Sequence, residues 1–214
     1  MSLQAMIFDM DGLLMDSERV GLDVMCDCGR LQGFDIPAAM VRQTIGANEQ
    51  SSSDYYHRFF PGLDTPRLFL DFSNAMRDLA QQGKIPLKKG VRELLKEAKI
   101  RNIPMAVASS SDLKTIGIYL SSAGIIAYFD ALITGNGLPS KPAPDIFLKA
   151  AAALNAKPEK CLVLEDSING IKAGRAAGMT VGMVPDMFPY QEEFAPYVDY
   201  LLPDLTAAIP LLAL

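Results

Sequence analysis

Cysteine is scarce in this 214-residue chain: Cys26, Cys28 and Cys161 are the three it has. An odd count this low supports no disulfide framework and points to a reducing compartment. Cys26-Asp27-Cys28 has no second pair to complete a zinc site, and reads as two reduced thiols on a helix. Basic residues are outnumbered, 20 Lys and Arg against 25 Asp and Glu, for a net charge of −5. They form no run longer than Lys88-Lys89, so the basic footprint of a nucleic-acid binder is missing. No apolar stretch approaches the ~20 residues of a membrane span. No basic segment precedes an apolar one at the start, where Asp9 and Asp11 come early, so no secretory signal is read and the cytoplasm is expected. There is no internal repeat and no low-complexity tract. The single histidine, His57, sits among aromatics at positions 55, 56, 59 and 60 that read as packing residues.

Hydrophobic residues make up 50% of the chain, enough for a substantial core. They recur as short apolar runs: Ala5 to Phe8, Met105 to Ala108, Ala131 to Ile133, Cys161 to Leu164, Thr180 to Val184 and Tyr200 to Leu202. Such runs read as strands buried on both faces, as in parallel sheets. Between them lie amphipathic helical patterns. Val91, Leu94, Leu95 and Ala98 share one face; Ile146, Phe147, Ala150, Ala151 and Leu154 share another, after Pro144 and Asp145 at a helix start. Alternation of strand and helix predicts a layered α/β fold with a parallel sheet. Residues 16–82 break the alternation, with helical patterning and no buried strand. That is too long for a connection, so it is expected to be a small all-helical domain inserted after the first strand, with residues 1–15 and 83–214 forming the core. A short apolar helix is expected from Ala207 to Leu214.

Four polar clusters each follow an apolar strand, the edge of a parallel sheet where ligands bind. Asp9-Met10-Asp11-Gly12 puts two acids at a buried strand end, where a Mg2+ ion would compensate their charge. A carboxylate there can attack phosphorus, a second can move the proton, and Gly12 permits the tight turn. Ser109-Ser110-Ser111 offers hydroxyls and backbone donors to an anion. Lys141, before Pro142, offers an ammonium. Glu165-Asp166 offers a second acidic pair. Taken singly, each has an ordinary reading as a turn, a helix cap or a surface loop. Gly170, Gly174 and Gly178 recur every four residues, as on a helix lying close to a sheet, with Gly178 also suited to a C-terminal cap.

In this order the clusters resemble the four motifs of the haloacid dehalogenase (HAD) superfamily, over the whole chain, and within it the subgroup of β-phosphoglucomutases and small sugar-phosphate or nucleotide phosphatases. The resemblance implies a Rossmann-like three-layer core with a mobile helical cap. It implies Asp9 as nucleophile and Asp11 as general acid/base. Mg2+ would be held by Asp9, the Asp11 carbonyl and Asp166, with Glu165 nearby or coordinating. Ser109 and Lys141, with Gly12 and Ser110, would bind the phosphoryl group. Arg19, Arg42, Asn48 and Glu49 are the cap residues expected to face substrate. The implied activity is hydrolysis of a small phosphate monoester by a monomer. The β-phosphoglucomutase rival would need a histidine early in the cap, where this chain reads Ser17-Glu18-Arg19-Val20-Gly21. A non-catalytic phospholigand-binding protein would not require intact acids. A dinucleotide oxidoreductase would need more than Gly135-Asn136-Gly137.

Overall fold

The computed structural model describes residues 3–47 and 49–213. Six parallel strands form one sheet in the order β3-β2-β1-β4-β5-β6. They are β1 (Ala5–Phe8), β2 (Met105–Ser109), β3 (Ala131–Thr134), β4 (Cys161–Glu165), β5 (Thr180–Met183) and β6 (Tyr200–Leu201). Every residue of β1, β2 and β4 is buried, as continuous apolar runs predict.

Alternation along each central strand explains the three layers. Met6, Phe8, Met105, Val107, Leu162 and Leu164 point to one face. They pack there with Val91, Leu94, Leu95 and Ala98 of α5 (Val91–Ile100) and with Ile116, Tyr119 and Leu120 of α6 (Leu113–Ser122). Ala5, Ile7, Ala106, Ala108, Cys161 and Val163 point to the other. Small Ala and Cys on that face let α7 (Asp145–Ala153) and α8 (Ile168–Ala176) approach closely. Gly174 of α8 faces Val181 and Val163, where an added Cβ would lie 3.0 and 3.3 Å from their methyls. Gly178 instead has φ +73° just past that helix, with its N–H on the Arg175 carbonyl, which is a C-terminal cap.

Four helices separate β1 from α5: α1 (Ser17–Leu31), α2 (Ala38–Arg42), α3 (Glu49–Phe59) and α4 (Thr65–Gln81). They enclose a separate apolar cluster of Met25, Cys26, Cys28, Ile36, Val41, Tyr56, Leu63 and Leu68. The two neighbouring cysteines are therefore buried thiols, free as expected. The His57 ring nitrogen Nε2 lies 3.0 Å from the Leu63 carbonyl, a structural role. Phe59 departs from the packing expectation and is 57% exposed. The expected C-terminal apolar helix is present as a 3₁₀ helix over Leu205–Ala213, with Leu205, Ala208 and Leu212 packed in the core, and Leu214 lies outside the described residues. No helix among the described residues is long and apolar enough to cross a membrane.

Candidate active site

The sheet order changes direction beside β1: β2 and β3 lie to one side, β4 to β6 to the other. Side chains at the carboxyl ends of β1, β2 and β4 must then converge on one crevice. Asp9 follows β1, and its N–H reaches the Leu164 carbonyl of β4 at 3.1 Å. Ser109 ends β2 and Glu165 ends β4. Asp9, Ser109, Glu165 and Asp166 are all buried polar residues.

Lys141 joins two of these acids. Its Nζ donates to Asp9 Oδ1 at 2.5 Å and to Glu165 Oε1 at 2.7 Å, and it lies 4.8 Å above the Phe147 ring. Burial works against the ammonium charge, but Asp9 and Glu165 beside it hold its pKa above the ordinary lysine value. Glu165 is fully engaged. Its Oε2 accepts from the N–H groups of Asp166 and Ser167 and from the Ser167 hydroxyl. Both of its oxygens are thus already taken by donors. Gly170 makes that arrangement possible, since an added Cβ would fall 1.7 Å from Glu165 Oε1.

Asp11 stands among hydroxyls. Ser17 donates to Oδ1 at 2.7 Å; Ser109 and Ser111 donate to Oδ2 at 3.3 and 3.1 Å. Ser109 Oγ also accepts the Ser111 N–H. Gly12 turns the chain with φ +85°, and a Cβ on it would lie 2.3 Å from Asp166 Oδ2 and 3.2 Å from Glu18 Cδ. Only glycine satisfies both the conformation and the space there.

Acids dominate the crevice. Burial first, and then the neighbouring Glu165, push Asp9 up to about 7 despite Lys141, which pulls the other way. Burial and then Asp186 push Glu18 up to about 8. Asp166 is raised well above the ordinary carboxylate value by burial, Glu165 and Asp9. Glu18, Asp166 and Asp186 each place an oxygen within 4.8 Å of the others. Buried carboxylates this close need a cation or protons. The donor set is all oxygen, which suits a hard ion such as Mg2+.

The structure brings Asp9, Asp11, Gly12, Ser109, Lys141, Glu165 and Asp166 into this one crevice. Ser110 is exposed at its edge, lining a cleft of about 270 Å3 that runs along residues 135–141 to Lys141. Of the expected cap residues, Arg19 reaches the crevice acids through Asp186. Arg19 binds Asp16 and Asp186, both at 2.6 Å. Arg42 and Glu49 are exposed at the end of α2 and the start of α3, and Asn48 lies outside the described residues. Asn169 Nδ2 reaches the Gly46 carbonyl at 3.4 Å, so the α2–α3 loop touches the first turn of α8. Ser17, Glu18 and Asp186 escape the sequence reading, whereas Ser111 belongs to the serine run singled out there and donates to Asp11. Asp186 obeys the same rule that found the others, an acid shortly after an apolar strand, here β5.

Comparison with known proteins places the chain in context. A family profile described as haloacid dehalogenase-like hydrolase matches residues 3–178. Hexitol phosphatase B of Escherichia coli (strain K12) is 35% identical over 189 residues, covering 85% of this chain and 83% of that protein. Protein CbbY of Rhodobacter capsulatus is 28% identical over 221 residues, covering 97% and 96%. The crystal structure of CbbY from Rhodobacter sphaeroides in complex with phosphate superposes with a TM-score of 0.81 at 26% identity, covering 96% of each chain.

Proposed function

Because the chain belongs to the haloacid dehalogenase-like hydrolases and is a phosphatase of that family, we propose that it hydrolyses a small phosphorylated metabolite, a sugar or sugar-alcohol monophosphate, through an aspartyl phosphate on Asp9. The observation that carries this reading is the buried Asp9–Lys141–Glu165 chain beside an Asp11 held by three hydroxyls. Names of relatives such as hexitol phosphatase B support the substrate class.

In the first step an Asp9 oxygen attacks phosphorus and the ester P–O bond breaks. Asp11, carrying a proton, gives it to the departing alkoxide. In the second step water attacks phosphorus, Asp11 takes a proton from it, and the P–O bond to Asp9 breaks. Ser17, Ser109 and Ser111 orient Asp11 for both transfers. Lys141 and Ser109 neutralise and position the phosphoryl oxygens. Glu165 aligns Lys141. Asp9, the Asp11 carbonyl and Asp166 would hold Mg2+. When bound, the ion offsets repulsion between Asp9 and the phosphoryl group and supports negative charge in transfer.

In this proposal residues 16–82 are the cap that closes over residues 1–15 and 83–214, excluding water and selecting substrate. The enzyme acts as a monomer in the cytoplasm. Hydrolysis is favoured over phosphomutase chemistry because the early insert reads Ser17-Glu18-Arg19-Val20-Gly21, without a histidine, and the exposed His57 has its Nε2 3.0 Å from the Leu63 carbonyl. Asp9→Asn is expected to abolish phosphate release while circular dichroism stays native. Release should require Mg2+ in a screen of sugar, sugar-alcohol and nucleoside monophosphates. Undiminished turnover by Asp9→Asn would remove the nucleophile assignment.

A further inference from the structure

Six carboxyl groups line the crevice: Asp9, Asp11, Glu18, Glu165, Asp166 and Asp186. Three cationic side chains face them, and each is already engaged. Lys141 binds Asp9 and Glu165. Arg19 and Lys88 both bind Asp186 through its Oδ1, at 2.6 and 2.5 Å. Among the described residues no ion pair reaches Glu18 or Asp166, and these two converge with Asp186 within 4.8 Å.

A second observation falls at the same place. Asp186 is 1% exposed in its side chain, yet its Oδ2 is buried with no hydrogen-bond partner among the described residues. A buried carboxylate oxygen without a donor costs on the order of 1–3 kcal/mol, and more when charged. Such an oxygen calls for something positive or hydrogen-donating beside it. The three acids also come from separate elements: Glu18 from the first turn of α1, Asp166 from the turn after β4, and Asp186 from the loop after β5. The absent side chain of Gly12 leaves the space in which Asp166 and Glu18 meet.

Building on the cation-dependent reading above, we propose that Glu18 and Asp186 join Asp166 in holding the divalent cation, supplying oxygens to its shell of ligands and bound waters. Mg2+ keeps several of its waters, so carboxylates spaced this widely can serve it without large movement. Asp186 then has two duties. Its Oδ2 serves the cation, and its Oδ1 gathers Arg19 and Lys88. These two also share Asp16, at 2.6 and 3.4 Å, so the group spans both crossings between the sheet core and the helical insert. Glu18 and Asp186 are positioning residues, outside the proton transfers assigned to Asp11.

The test is Mg2+ binding by isothermal titration calorimetry on the metal-free full chain, repeated with Mn2+ by electron paramagnetic resonance. Thermal unfolding is measured with and without each ion. Asp186→Asn and Glu18→Gln are each expected to weaken the cation about tenfold or more, in the range seen when groups that orient a metal site are lost. Asp78→Asn, on the exposed face of α4, should leave it unchanged. Metal-free Asp186→Asn should be as stable as the parent chain or more so, and its stabilisation by Mg2+ should shrink. If both variants bind Mg2+ as the parent does, the inference fails and the proposed function stands. A less stable metal-free Asp186→Asn with an undiminished Mg2+ response would make Asp186 merely structural and also overturn it. A parent chain that binds neither ion would overturn both readings.

Discussion

Glu165 shows how completely a single side chain can be held by its surroundings. It receives Lys141 on one oxygen and the following turn on the other, and Gly170 alone leaves it room. Gly170→Ala is therefore expected to displace the carboxylate and misplace Lys141, lowering kcat on the order of 100-fold with the fold retained. Steady-state kinetics with any accepted phosphate ester, beside circular dichroism, checks this; full activity would mean Glu165 does not align Lys141. The same residue marks a boundary of what sequence can convey. Position 165 was legible as a strand-end acid, but whether it meets a metal or a lysine depends on side-chain geometry that spacing does not carry. The spacing of Gly170, Gly174 and Gly178 suggested one packing stripe, with a C-terminal cap as a further role for Gly178. The structure separates them into a cavity for a carboxylate, a close approach to Val163 and Val181, and a helix cap.

Among the elements, the joint between α4 and α6 carries the most testable interaction. Asp112 caps α6 by accepting the Thr115 N–H at 2.9 Å, and its other oxygen binds Arg77 of α4 at 2.7 Å. Arg77 also donates to the Thr115 hydroxyl at 2.8 Å. Asp112→Ala loses the cap and the joint together and should cost about 1–2 kcal/mol, the usual cost of an N-cap. Arg77→Ala loses only the joint, part of which faces solvent, and should cost less. Urea unfolding of both variants decides the order; the reverse ranking would place the stabilisation in the ion pair. The strands and most helices were legible because burial on both faces leaves unbroken apolar runs, and burial on one face leaves a 3.6-residue period. The segment from Leu205 was legible as an apolar, packed helix, but its 3₁₀ form is not written in that apolarity. The role of Ser17 was not legible, nor were the partners of Asp186, although Asp186 itself follows an apolar strand as the other acids do. Ser17 looked like an ordinary helix start, and Asp186 reaches Arg19 and Lys88 across 167 and 98 positions of chain, a pairing no local pattern encodes.

For the molecule as a whole, the crowded acids couple stability to pH and metal. Asp9 and Glu18 are raised from 3.8 and 4.5 to about 7 and 8. Between those limits the folded chain holds more protons than the unfolded one, so stability falls as pH rises from about 4 to 8. Lys141, also raised, contributes stability throughout that window and loses it only in strong base. Mg2+, bound as proposed, would replace the protons, so it should raise the melting temperature more at pH 8 than at pH 5. Calorimetry at the two pH values tests this, and an equal rise at both would refute it. The strand order has a different consequence. β1 lies between β2 and β4, yet residues 9–104 are synthesised before either partner is complete. At roughly 5–20 residues per second, the ribosome leaves that apolar strand unpaired for several seconds or more. Fragments that stop short of Met105 should accordingly clump or occupy chaperones, and the chain becomes self-sufficient only once its middle strand acquires neighbours.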